Sequence, residues 1–145
     1  MSLLGALSVS ASGMSAQRLR VELLVENLAN AETTRTADGG PYRRKDAVFT
    51  TAAVHTPFES TLRSMDASQG AGVAVSEILV DDRDPERRYQ PRHPDADKDG
   101  YVAFPKINPA EEMVDLMSAS RNYQANIAAM SAVKDMIQKS IDLLR

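Results

Sequence analysis

Both ends of the chain carry apolar residues at helical spacing, while the middle alternates them over short runs broken by proline and glycine. Over residues 2–34, Leu7, Met14, Val21 and Leu28 recur every seven positions. Leu3, Leu24 and Ala31 interleave with them, and Leu4, Ala11 and Val25 flank the seam. A period near 3.5 predicts an amphipathic helix that seeks a partner helix. Ser10 and Gln17 interrupt the seam, and Gly5 and Gly13 each cost roughly 1 kcal/mol against alanine inside a helix. Such a helix is marginal alone. Asn30, Thr33 and Thr34, then Asp38-Gly39-Gly40-Pro41, mark its end.

The closing segment starts more sharply. Asn108 suits an N-cap and Pro109 the first helical position. Glu111 stands three residues after the cap, completing a capping box with Asn in the Ser/Thr place. Leu116, Tyr123, Met130, Ile137 and Leu144 then recur every seven, with Met113, Ile127 and Ile141 as a second row broken at Ser120 and Lys134. Neither glycine nor proline follows Pro109, so the helix is expected to run about 36 residues, or ~54 Å. Ala125, Ala128, Ala129 and Ala132 add a small-residue stripe beside the apolar one. Two helices cannot cover both stripes, which points to contacts with other subunits. A two-helix hairpin burying its own seams is the alternative.

Residues 35–107 hold most of the prolines, glycines and aromatic residues, too much punctuation for long helices. Asp46–Ala53, Gly72–Val80 and Gly100–Phe104 read as short strands, with alternation clearest at Val73, Val75 and Ile78-Leu79-Val80. Arg83–Pro94 reads as a polar loop, and Ser60–Gly72 as a flexible stretch with a possible helical turn at Phe58–Ser64. The expected fold is α+β. Long N-terminal (1–34) and C-terminal (108–145) helices pair as a coiled-coil-like bundle, and residues 35–107 form a small β-rich middle.

Composition narrows the picture. The 43% apolar content leans on alanine; the large aliphatics and phenylalanine make up only about a fifth of the chain, a thin core. A net charge of −3 argues against a general nucleic-acid binder. The Arg43-Arg44-Lys45 run, closed by Asp46, reads as a solvated strand entrance. With no cysteine, disulfides, thiol catalysis and cysteine metal sites are excluded. No apolar run reaches the ~18 residues of a membrane span. Residues 1–17 lack charge, but no Lys or Arg precedes the apolar part and serines and glycines interrupt it, unlike a cleaved signal peptide. Export, if it occurs, is expected by another route.

Candidate chemistry is sparse. Asp95-Ala96-Asp97-Lys98-Asp99-Gly100 matches the first half of an EF-hand loop, but the twelfth position, which needs a bidentate glutamate, is Lys106. Pro105 also blocks the exiting helix. A β-turn built on Asx chemistry accounts for the same residues. His55 and His93 stand apart in proline-flanked sequence and lack metal-ligand spacing. Gly13-Met14-Ser15-Ala16-Gln17 lacks the second glycine of a nucleophile elbow, and no P-loop or dinucleotide fingerprint occurs. The pairs Asp81-Asp82 and Glu111-Glu112 read as a loop and as a first helical turn favouring negative charge. No catalytic site and no cofactor are expected. Two polar clusters stand out instead: Asn27 with Asn30, Glu32 and Thr33, and Arg121 with Tyr123, Gln124 and Asn126. A buried asparagine on a helical seam fixes register and partner; ordinary solvent-facing polar residues are the alternative.

These clusters carry a resemblance. Ala11-Ser12-Gly13-Met14-Ser15-Ala16-Gln17 and Asn27-Leu28-Ala29-Asn30-Ala31-Glu32-Thr33 resemble the N-terminal signature of bacterial flagellar rod and hook proteins. Asn108-Pro109-Ala110-Glu111-Glu112-Met113-Val114 and Ser118-Ala119-Ser120-Arg121-Asn122-Tyr123-Gln124-Ala125-Asn126 resemble the matching signature at the other end. His93-Pro94-Asp95-Ala96-Asp97 through Gly100-Tyr101-Val102-Ala103-Phe104-Pro105, with the short chain, is similar to the proximal-rod member. Pro109 and Ala110 depart from the valines common at those positions, and Leu28 from a frequent isoleucine.

The resemblance implies a non-enzymatic structural subunit of the proximal rod in the flagellar basal body, part of the periplasm-crossing drive shaft that transmits torque for motility. It implies passage through the flagellar type III export apparatus without a cleaved signal, terminal helices forming the inner layers of a helical assembly, and an outward-facing middle. Implied partners are copies of itself, other proximal-rod and distal-rod subunits, and the rod-to-membrane-ring adaptor, with no nucleic acid and no direct membrane insertion. Leu7, Met14, Val21, Leu24, Asn27, Leu28, Asn30, Glu32 and Thr33 are the expected interface residues at one end. At the other are Glu111, Met113, Leu116, Arg121, Tyr123, Asn126, Ile127, Met130, Ile137, Ile141 and Leu144. The alternatives are a self-contained helical adaptor and a calcium-binding module using Asp95, Asp97 and Asp99.

Overall fold

The computed structural model describes residues 3–37, 39–52 and 72–143. Helix α1 spans Leu3–Ala29 and helix α2 spans Pro109–Leu143. Between them lie strands β1 (Lys45–Ala52), β2 (Gly72–Val80), β3 (Glu86–Tyr89) and β4 (Tyr101–Phe104). The fold is α+β. Helix α2 and three of the strands fall within a residue or two of their expected places, while α1 ends at Ala29, five residues short of the expected 34. Ala53, the expected turn at Phe58–Ser64, the stretch before Gly72 and Leu144 lie outside the described residues.

The two helices pack antiparallel, Asn27 facing Glu112 at one end and Gly13 facing Asn126 further along. At Gly13 a Cβ would stand 3.3 Å from Asn126 Nδ2, tighter than an ordinary contact, so the glycine lets the helices close without displacing that side chain. The side of α2 turned to α1 carries Glu112, Ala119 and Val133, all buried, at seven-residue intervals with Asn126. Leu116, Tyr123, Met130 and Ile137 are half-buried beside them. The second row expected from hydrophobicity is not part of this contact: Met113, Ile127 and Ile141 are 52%, 47% and 56% exposed. Met113 and Ile127 each sit one residue past the inward series and Ile141 eight past Val133, and one residue turns an α-helix by about 100°. Small side chains at Ala119 and Gly13 let the helices approach, so packing centres there. The same offset carries α2 about two turns past the first described residue of α1.

β1 and β2 form an antiparallel ribbon that lies against α1. Its register shifts between Val48 and Phe49, leaving Ser76 as a bulge whose hydroxyl donates to the Val48 carbonyl at 3.2 Å. The Val73 N–H donates to Ser12 Oγ at 3.0 Å, tying the ribbon to the helix. A second antiparallel hairpin pairs β3 with β4, Glu86 opposite Phe104 and Tyr89 opposite Tyr101. Its first strand corrects the loop expected at Arg83–Pro94. All four residues of Glu86-Arg87-Arg88-Tyr89 are exposed, so no apolar alternation announces the strand. It is held by pairing with β4, whose Val102 and Phe104 are buried, and by the Arg88 guanidinium lying 4.8 Å over the Phe104 ring.

Candidate functional site

The last turn of α1, the segment leading into β1 and the first turn of α2 converge on Asn27, which is fully buried. Its Nδ2 donates to the Lys45 carbonyl at 2.8 Å and to Glu112 Oε2 at 3.3 Å. Its Oδ1 accepts from the Lys45 N–H at 2.9 Å and from the Tyr42 hydroxyl at 3.0 Å. An amide side chain offers two donors and two lone pairs, and here all four are used. The carboxylate of Glu112, 3% exposed, receives Asn27 on one oxygen and Arg44 Nε on the other. Arg44 also reaches Asp46. Removing either partner of such a buried pair strands the other, which makes the cluster strict about which segments meet.

Tyr42 closes the cluster. Burial, then the negative charges of Glu26 and Glu112, push its phenol up to about 12, so it stays a protonated donor to Asn27. The Tyr42 N–H donates to the Thr33 carbonyl at 3.0 Å, fixing the chain reversal after α1. Asn30 ends the helix: its Nδ2 donates to the Glu26 carbonyl at 2.9 Å, and Thr33 Oγ1 donates to its Oδ1 at 3.1 Å. At the start of α2, Asn108 Oδ1 accepts from the Ala110 N–H at 3.1 Å, the expected N-cap.

The expected residues divide sharply. Leu24 and Asn27 are buried. Leu7, Met14, Val21, Leu28, Asn30, Thr33, Leu116, Tyr123, Asn126, Met130 and Ile137 are half-buried. Glu32, Glu111, Met113, Arg121, Ile127 and Ile141 face solvent in the single chain. Val21, Leu116 and Tyr123 line an apolar cleft of about 280 Å³ between the helices, with Arg18 and Ser120 at its rim.

Sequence reasoning missed Tyr42, Arg44, Lys45 and Glu112. The Arg43-Arg44-Lys45 run is not simply a solvated entrance: Arg43 is exposed, but Arg44 sits in the buried ion pair and Lys45 gives both backbone groups to Asn27. The Glu111-Glu112 pair likewise splits, Glu111 facing solvent and Glu112 turned inward. The available signal was the seven-residue series Glu112, Ala119, Asn126 and Val133.

The aspartate-rich turn is structural. Asp97 Oδ1 accepts from the N–H groups of Asp99 and Tyr101, and Asp95 accepts from Thr34 Oγ1 at 2.8 Å while facing Arg35 at 3.7 Å. Among the described residues no group of three or more His, Cys, Asp or Glu is placed to hold a metal. Nothing favours the calcium-binding alternative.

Helical ends paired around a buried polar cluster, with apolar faces left uncovered, define the build of a subunit for a larger assembly. Comparison with known proteins specifies which. Residues 98–143 match the family described as flagellar basal body rod FlgEFG protein C-terminal. The flagellar basal-body rod protein FlgC of Borreliella burgdorferi is 39% identical, covering 100% of this chain and 99% of its own. That of Bacillus subtilis is 42% identical over 94% and 95%, and that of Salmonella typhimurium 37% over 99% and 98%. The chain belongs to the FlgC family of flagellar basal-body rod proteins and is a structural subunit of the rod.

Proposed function

We propose that the chain polymerises through its terminal helices into the proximal rod, with residues 1–34 and 108–145 as inner assembly layer and 35–107 outward. The observation that supports this most is the outer face of α2. Met113, Met117 and Ile127 are about half exposed, and Ala125, Ala128, Ala129 and Ala132 face solvent beside them. Contiguous apolar surface of this kind marks an interaction face, and small residues let a second helix approach closely. Coiled-coil-like packing then forms between subunits as well as within one.

The interface comprises the half-buried and exposed residues named above, with Asn27, Asn30 and Thr33 setting the register from inside. Neighbours are copies of the chain, other proximal-rod and distal-rod subunits, and the rod-to-membrane-ring adaptor. The subunit reaches the periplasm-spanning rod through the flagellar type III export apparatus, without a cleaved signal, and shares torque along many near-axial helices.

Deleting residues 1–20 tests the reading, because it removes most of α1, the helix that pairs with α2. Basal bodies isolated from cells carrying only the truncated chain are expected to lack a complete rod. Complete rods in such cells would contradict the reading.

A further inference from the structure

The β3–β4 hairpin carries opposite chemistry at its two ends. At the loop end, Gly100 adopts φ +82°, and a Cβ there would stand 2.9 Å from Tyr89 Cε2. The glycine therefore lets the tip close, with Tyr89 and Tyr101 edge to face at 5.4 Å. Both tyrosines are exposed, at 66% and 43%. Asp97 and Asp99 stand beside them, and neither carboxylate takes an ion pair among the described residues. Lys98 between them leaves the tip net negative.

At the open end, Pro85 and Pro105 border a cavity of about 110 Å³. Its lining includes Arg43, Arg44, Arg83 and Lys106 against the single carboxylate of Asp81, on a chain whose net charge is −3. Glu112 occupies Arg44, and Asp81 occupies Arg83. Arg43 Nη1 donates to the Asp81 carbonyl at 3.3 Å and pairs with Asp82, whose side chain is fully exposed, and Lys106 has no ion pair among the described residues. Lys106 is the cation left over there, and the Arg43–Asp82 pair is open to exchange at the surface.

We propose that the hairpin tip of one copy docks in the cationic cavity of the next, with Asp97 and Asp99 facing Arg43 and Lys106 and the tyrosines against Pro85. The inference rests on the polymerising reading above and names two surfaces for it. Charge complementarity selects the pairing, and tyrosine and arginine are the residues that dominate interface energetics. Because the surfaces lie at opposite ends of one hairpin, a copy that gives its tip keeps its own cavity open. Such a contact is heterologous, and when it does not close into a ring it continues as a helix.

The chain contains no cysteine, so placed thiols report cleanly. Lys106→Cys and Asp99→Cys copies are expressed together in cells lacking the native chain, and isolated basal bodies are treated with a short thiol-reactive cross-linker. The expected product is a dimer that neither variant gives alone. In parallel, Lys106→Glu is expected to lower assembled rods roughly tenfold, with recovery when Asp99→Lys is added to the same chain. Intact rods holding both cysteine variants without the mixed dimer would overturn the docking while leaving the polymer reading in place. Unchanged rod numbers with Lys106→Glu would overturn it as well.

Discussion

At the scale of single residues, Asn27 has the largest structural consequence. One carboxamide satisfies a phenol, a backbone N–H and a backbone carbonyl from the segment leading into β1 and a carboxylate from α2. Asn27→Ala leaves those groups facing a void, and each stranded buried polar group costs about 1–3 kcal/mol. A loss of about 2–4 kcal/mol is expected in urea unfolding of the full chain, a large share of a typical ~5–15 kcal/mol domain stability. A loss below ~0.5 kcal/mol would show that the cluster contributes little. Asn27 was visible in the sequence as one of a pair of asparagines on a helical stripe. Its partners were not, because Tyr42, Arg44 and Lys45 reach it only through the reversal after α1, and no local spacing encodes a contact between residues 27 and 112.

At the scale of elements, both helices were legible in type, and α2 also in extent. Capping residues, period and the absence of breakers agree on α2, and the structure starts it at Pro109. The face it turns inward was half legible. Leu116, Tyr123, Met130 and Ile137 border the contact, but the centre runs through Glu112, Ala119 and Val133, where small size and a buried ion pair outweigh hydrophobicity. Strand β3 was invisible because its side chains are all exposed and its pairing alone defines it. This division of α2 into an inner and an outer small-residue face gives a paired prediction. Ala119 is fully buried, so Ala119→Leu overpacks the helix pair and is expected to destabilise the isolated chain by about 1–3 kcal/mol. Ala129 faces solvent, so Ala129→Leu is expected to leave that stability within about 0.5 kcal/mol yet reduce rod assembly. Equal effects of the two substitutions on unfolding would contradict the assignment of faces.

At the scale of the whole molecule, the thin core read from composition is the one the structure has. Buried hydrophobic side chains are few and lie mainly on α1, on the inner side of α2 and on β4, while much of the apolar surface of α2 stays open. Among the described residues one chain supplies a single partner helix, and a helix with apolar and small residues on two sides needs more than one. The account therefore depends on neighbouring subunits covering the outer face of α2. Electron cryo-microscopy of the assembled basal body measures this directly. Side chains of Met113, Met117 and Ile127 should lie within about 4 Å of atoms from adjacent chains. Finding those three side chains in open solvent within a complete rod would contradict the account.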